Sequence, residues 1–194
     1  SLKLDDGSMV YLNAQSRLKV NYSGRQRHID LLDGEALFVV ARDEHRPFRV
    51  TAGTATIQAL GTRFNVKRRS GSTTVSVLEG RVKVAGGGLL NAGEEAKVAH
   101  DGSIDKHAPA DIERRIAWRQ RVLEFRDDPL AEVVTELNRY NRTPRFRIED
   151  AAVAARKYTG VFNADDPQSL AELLSQEDDL IVERTEREIV IRAR

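Results

Sequence analysis

Val77-Leu78-Glu79-Gly80-Arg81-Val82-Lys83-Val84 carries the pattern that decides the first half of the chain. A glycine follows an acid at a turn, and apolar and charged residues then alternate. Glycine takes positive φ without the Cβ penalty. The alternation sends Val82 and Val84 to one face and Arg81 and Lys83 to the other. The same unit recurs at residues 4–12, 31–39 and 90–98, each with a turn expected at its glycine. Between them, residues 17–22, 48–50, 55–60 and 64–67 keep the same period. About ten short strands at turn-punctuated spacing predict an all-β domain, either an antiparallel sandwich or a solenoid-like stack. No helical pattern occurs before residue 109.

The second half changes character. Val122-Leu123-Glu124-Phe125-Arg126 reads as a strand, and Asp128 and Pro129 are placed to cap and open a helix. Leu130, Val133, Val134 and Leu137 follow the apolar stripe of an amphipathic helix, which should stop near Asn141 with Pro144 ahead. Residues 145–149 return as a strand. The order then repeats: strand 158–162, a cap at Asp165-Asp166-Pro167, a helix carrying Leu170, Leu173 and Leu174, and a closing hairpin of 180–184 with 188–192. This predicts a small α+β domain of duplicated βαβ units. Residues 110–118 read as a linker helix, with Trp118 expected to pack at the junction.

Composition supports a division. Of 194 residues, 13 are glycine, and only Gly160 lies beyond residue 102. Residues 1–108 hold sixteen basic and twelve acidic side chains, net +4, whereas 109–194 hold fifteen and eighteen, net −3. The expected domains are therefore 1–108 and 109–194, with the polar stretch 99–109 as the seam. The whole chain is near neutral, net +1, so it has no overall pull toward nucleic acid or anionic lipid. Zero cysteines exclude disulfides, zinc ribbons, iron–sulfur clusters and thiol catalysis. No run of ~18 apolar residues is present to span a membrane. There is no signal peptide, and a chain opening on Ser1 is expected to be a piece of a longer protein.

Residues for chemistry are scarce. His28, His45, His100 and His107 are scattered without metal-ligand spacing and read as surface residues, so no metal or cofactor is expected. Gly86-Gly87-Gly88 lacks the Lys-Ser/Thr of a phosphate loop and reads as a hairpin. Asp127-Asp128 and Asp165-Asp166 could act as acid–base pairs, but their place before Pro and a helical stripe favours capping. Lys67-Arg68-Arg69 reads as a solvated hairpin tip without the interleaved aromatics of a nucleic-acid site. The residues thus point to a binding or signalling module rather than an enzyme. A wall- or polysaccharide-binding β module is the alternative, disfavoured by the paucity of aromatic clusters.

Five blocks in register extend this reading: Leu4 to Leu18, Leu32 to Arg42, Arg46-Pro47-Phe48-Arg49-Val50, Leu60-Gly61-Thr62-Arg63-Phe64-Asn65-Val66 and Val75 to Val82. Residues 2–98 resemble the periplasmic domain of the FecR family of transmembrane anti-sigma factors. Leu123 to Leu130, Leu137-Asn138-Arg139-Tyr140 and Tyr158 to Phe162 resemble the STN domain shared by secretins and TonB-dependent receptors. The resemblance implies the periplasmic, soluble part of a single-pass inner-membrane protein. It implies that the signal comes from the N-terminal signalling domain of an outer-membrane TonB-dependent siderophore transducer. An upstream cytoplasmic segment, outside this sequence and joined through a transmembrane helix, would hold an extracytoplasmic-function sigma factor controlling iron-uptake genes. On this reading the transducer docks on the second domain, because five short strands must leave an edge with unpaired N–H and C=O groups. The expected contact residues are Leu123, Phe125, Leu180, Val182, Val190 and Arg192, with Ile189 and Ile191 facing the core and Val190 pointing away from it.

Overall fold

The computed structural model describes residues 1–24, 26–109 and 111–194. Ala110, the first residue of the expected linker helix, lies outside them. The chain divides into two compact units, Ser1–Ile116 and Ala117–Arg194.

Among the described residues, twelve strands build the first unit: β1 (Leu2–Lys3), β2 (Met9–Leu12), β3 (Arg17–Tyr22), β4 (Arg27–Val39), β5 (Phe48–Ala52), β6 (Ala55–Ala59), β7 (Arg63–Arg69), β8 (Ser72–Glu79), β9 (Arg81–Val84), β10 (Gly88–Asn91), β11 (Glu95–Ala99) and β12 (Ile104–His107). They form one curled sheet with the path β10-β9-β6-β5-β4-β7-β8-β11-β12. The alternation reads through: Val82 and Val84 are buried and Arg81 and Lys83 are exposed.

The long strand β4 makes the curl. Residues 27–33 pair with β3 and residues 27–30 with β5, whereas 34–39 pair with β7 and 36–39 with β2. One strand therefore serves two layers. The change falls at Gly34, whose φ is +87°. This corrects the turn expected there: the glycine is needed for positive φ, but as a bend inside a continuous strand. Its missing side chain makes room for Ser16, whose Oγ accepts from Glu35 N at 2.9 Å. The sheet is also not purely antiparallel, because β4 and β5 run parallel. Phe38 lies between Phe64, at 5.2 Å between ring centroids, and Phe48, at 5.9 Å, inside the core that the curl encloses.

A parallel neighbour needs a crossover, and a buried cation organises it. Arg27 Nε donates to Arg46 O at 2.8 Å, and its Nη1 donates to Ala41 O at 2.8 Å and to Asp6 Oδ2 at 2.7 Å. Its guanidinium lies 5.5 Å from the centre of the Phe48 ring. Both partners of the ion pair are buried, at 0% and 3% side-chain exposure. Burial alone would raise the Asp6 pKa, but hydrogen bonds from Ser8 and Arg27 outweigh it and hold the carboxyl below its ordinary value.

Three observations concern the rest of this unit. The stretch expected as a seam contains β12, which pairs with β11, and the division between the units falls later in the chain. The basic run 67–69 lies within β7 rather than at a solvated tip, and Arg68 Nη1 donates to Leu31 O at 3.0 Å and Leu32 O at 2.6 Å. Two of the histidines meet carboxylates: His28 lies 2.8 Å from Asp30, and His107 on β12 lies 3.2 Å from Glu95. No group of three metal-capable side chains forms among the described residues.

A 3-10 helix, Glu113–Gln120, stands where the linker helix was expected. The second unit then contains β13 (Val122–Pro129), α1 (Leu130–Tyr140), β14 (Arg145–Ile148), α2 (Ala151–Ala154), β15 (Lys157–Asn163), α3 (Pro167–Ser175), β16 (Leu180–Arg184) and β17 (Glu188–Ala193). Neither expected βαβ segment pairs its own two strands. β13 pairs antiparallel with β15, and β14, β17 and β16 form a separate sheet in which β14 runs parallel to β17. Leu130, Val133, Val134 and Leu137 of α1 are buried, as their spacing requires.

The two Asp-Asp-Pro stretches behave differently. Asp166 caps α3, accepting from Gln168 N and Ser169 N. The hydrogen bond from the Ser169 hydroxyl, followed by these two amides, lowers its pKa. Asp128 does not cap α1. Asp127 takes φ +51°, the strand bulges, and Asp128 Oδ2 accepts from Arg126 N at 2.8 Å. Replacing Asp166 by alanine is therefore expected to cost about 1 kcal/mol. Asp128→Ala should change stability by less than about 0.5 kcal/mol. Urea unfolding of both variants checks this contrast, and equal losses would contradict it.

Candidate partner-docking surface

The six expected contact residues fall on two different sheets of the second unit. Leu123 and Phe125 on β13 are buried, and the Phe125 ring lies 6.1 Å from that of Phe162 on β15. Leu180, on β16, is 2% exposed. β17 is the central strand between β14 and β16, so its backbone groups are engaged on both sides. Ile189, Val190 and Ile191 are all buried on it, which corrects the expectation that Val190 points outward. Leu123, Phe125, Leu180 and Val190 are thus core side chains. Only Val182 and Arg192 reach the surface, both half-buried, with Arg192 Nη2 donating to Glu183 Oε1 at 2.7 Å.

Open backbone lies on the strands other than β17. Among the described strands of this unit, β14 and β16 each have one unpaired edge, as do both members of the β13–β15 ribbon. The ribbon's inner side carries Leu123, Phe125 and Phe162. Its outer side carries Lys157, Thr159, Val161 and Asn163, all exposed. Val161, at 65% exposure, is the most exposed of the large apolar side chains described. Sequence reasoning recognised this strand but missed its exposed side. Thr159 and Val161 are β-formers separated by a glycine on a strand with a single charge, which marks the strand but not the side left exposed.

Charge is concentrated beside the ribbon. Arg156 Nη1 lies 3.1 Å from Glu177 Oε2, and its Nη2 lies 2.5 Å from Asp179 Oδ2. Tyr158 OH donates to Glu177 Oε1 at 2.8 Å. Burial, then this hydrogen bond to a carboxylate, pushes the Tyr158 pKa up to about 12. Arg156 in turn holds the Asp179 carboxyl below its ordinary value. These groups fasten the chain between α2 and β15 to the turn before β16.

The first unit carries a polar cluster of its own. Glu95 on β11 accepts from Ser76 Oγ at 2.6 Å, and Arg115 Nε lies 2.8 Å from its Oε2. With His107 also at this carboxylate, one buried acid fixes residues before and after the stretch 108–114.

Residues 1–83, which include β1 to β8 and most of β9, match the family described as FecR protein. Over those residues the chain is FecR-like. No curated protein shows a detectable match. Two crystal structures, each of a protein named as an anti-sigma factor from Parabacteroides distasonis, share the fold. In the 1.65 Å structure the identity is 27%, with 100% of this chain and 93% of that one covered at a TM-score of 0.84. In the 2.50 Å structure it is 26%, with the same coverage and a TM-score of 0.85. The likeness to these proteins therefore extends through the second unit, beyond the FecR match. No described helix of this chain is long and apolar enough to cross a membrane.

Proposed function

We propose that this FecR-like chain is the signal-receiving region of an anti-sigma factor, acting by protein–protein contact and not by catalysis. The observation that carries the reading is the likeness to the Parabacteroides anti-sigma structures across both units, joined to the FecR match in the first. On this reading the region stands in the periplasm as part of an inner-membrane protein. It receives a signal from the N-terminal signalling domain of an outer-membrane TonB-dependent siderophore transducer. A cytoplasmic segment outside this sequence holds the extracytoplasmic-function sigma factor, and iron-uptake transcription follows from its control. The second unit is an STN-like domain and the docking partner's target. Its open sheet edges support this, since unpaired backbone groups can accept a partner strand.

Calorimetry with the transducer's signalling domain tests the proposal. The full chain should bind it with a defined stoichiometry. Val182→Asp and Arg192→Glu, which change half-buried groups on β16 and β17, should weaken binding if the partner uses the β16 side. Wild-type protein that shows no heat and no complex at high concentration would reject the function.

A further inference from the structure

Sheet edges that stay monomeric are normally blunted by charge, proline or a bulge. In the second unit three of the four open edges carry such protection. β13 bulges after Phe125 and ends at Pro129. β14 carries Arg145 and Arg147 in four residues, and β16 ends in Glu183 and Arg184. β15 has none: Lys157, at its first position, is the one charge in seven residues.

The register of β15 fixes what can pair with it. Ala164 N donates to Arg121 O at 2.8 Å, and Leu130 N donates to Arg156 O at 2.8 Å. Residues 156 and 164 therefore turn backbone groups toward β13. Strand alternation then turns those of Thr159, Val161 and Asn163 the other way. Asn163 O accepts from Asp166 N but keeps a second lone pair.

We propose that the outer edge of β15 pairs antiparallel with the same edge of a second copy of this chain, about a two-fold axis at Val161. Only outward-facing residues can form reciprocal hydrogen-bonded pairs, so Val161 meets its own counterpart and Thr159 meets Asn163. This register covers the most exposed large apolar side chain. It also places Lys157 alongside the turn bearing Asp165 of the second copy, so unlike charges meet at both ends. Asp165, 52% exposed, pairs within its own chain with Arg121 at 3.1 Å and keeps an accessible face. The two edges are short. They bury less than the ~1,200–2,000 Å² of a standard interface, so the dimer is weak and forms at high protein concentration.

The test exploits the absence of cysteine from the chain. Hydrogen-bonded antiparallel partners have Cα atoms about 5.5 Å apart, within disulfide range. Val161→Cys should therefore cross-link to a dimer under mild oxidation, several-fold more than Leu173→Cys, an exposed control on α3. By sedimentation, wild type should move toward twice the monomer mass with rising concentration. Val161→Lys should remain monomeric with an unchanged melting temperature. Lys157→Asp should weaken the dimer, and adding Asp165→Lys should restore it. Wild type that stays monomeric at millimolar concentration overturns the proposal, as does Val161→Cys cross-linking no better than the control. Should Val161→Lys fail to fold, the cross-linking comparison decides alone.

Discussion

Replacing Asp6 by alanine is expected to destabilise the first unit by about 3–5 kcal/mol, the range for breaking a buried ion pair. The carboxylate is the counter-ion of a guanidinium with no solvent exposure, and it also accepts from the Ser8 amide, the Ser8 hydroxyl and Tyr22 OH. Truncation leaves Arg27 with carbonyl partners and no neutralising charge. In a unit of this size the melting temperature should fall by roughly 10–20 °C. Arg27→Met should be damaging on its own. The double variant should lose less than the sum of the two, because the buried charge and its unmet partner are removed together. Additive losses in thermal unfolding would show that the ion pair is not the origin.

The same pair predicts a pH dependence. The folded pKa of Asp6 lies below the free value of 3.8. Its contribution is therefore fully present above the unfolded pKa and is lost as pH falls through the folded one. Asp43 and Asp101 shift in the same direction, the first held chiefly by Arg46 and the second by the Ser103 hydroxyl. Stability should thus fall on acidification below about pH 4, and Asp6→Ala should flatten that slope.

Gly34→Ala is expected to cost about 2–5 kcal/mol, combining left-handed backbone strain with overpacking. A Cβ there would lie 2.3 Å from Ser16 Oγ and 2.7 Å from Ser16 Cα, and a backbone atom cannot swing aside. Gly80 also takes positive φ, +75°, but a Cβ would meet Thr62 Cγ2 at 3.0 Å, so about 1–3 kcal/mol is expected. At Gly93, with φ +87° and nothing within 4 Å, strain alone remains, about 1 kcal/mol. Denaturant unfolding of the three alanine variants should follow that order. Gly34→Ala no worse than Gly93→Ala would mean that Ser16 does not confine the bend.

The strands of the first unit were legible because one face of each is buried and period-two alternation records that directly. Gly34 shows the limit. An Asp-Gly step asks for positive φ equally at a hairpin and at a bend within a strand, and only the distant partners β2, β3, β5 and β7 decide which. The parallel pairing of β4 with β5 was hidden for the same reason, since the cation that organises the crossover sits 19 residues from Arg46 in sequence. In the second unit α1 and α3 were legible from their stripes. Asp128 was misread because the left-handed Asp127 makes the strand bulge, and the Asp128 carboxylate accepts from Arg126 N instead of from the helix. Val190 was misread because alternation distinguishes two faces only when one is wet, and β17 is covered on both. Val161 stood in a recognised strand, but its exposure depends on a sheet of only two strands, which no local pattern announces.

The thirteen-residue β4 joins the layers of the first unit by covalent bonds as well as by packing. Two sheets held only by contact could slide or peel apart under load. Here tension entering either layer runs along one unbroken backbone into the other, and Gly34 is the fulcrum. The unit should therefore respond to a mechanical pull as a single body and yield in one step, with no half-peeled state. A unit built in this way would pass a tug at one surface on to the other without absorbing it.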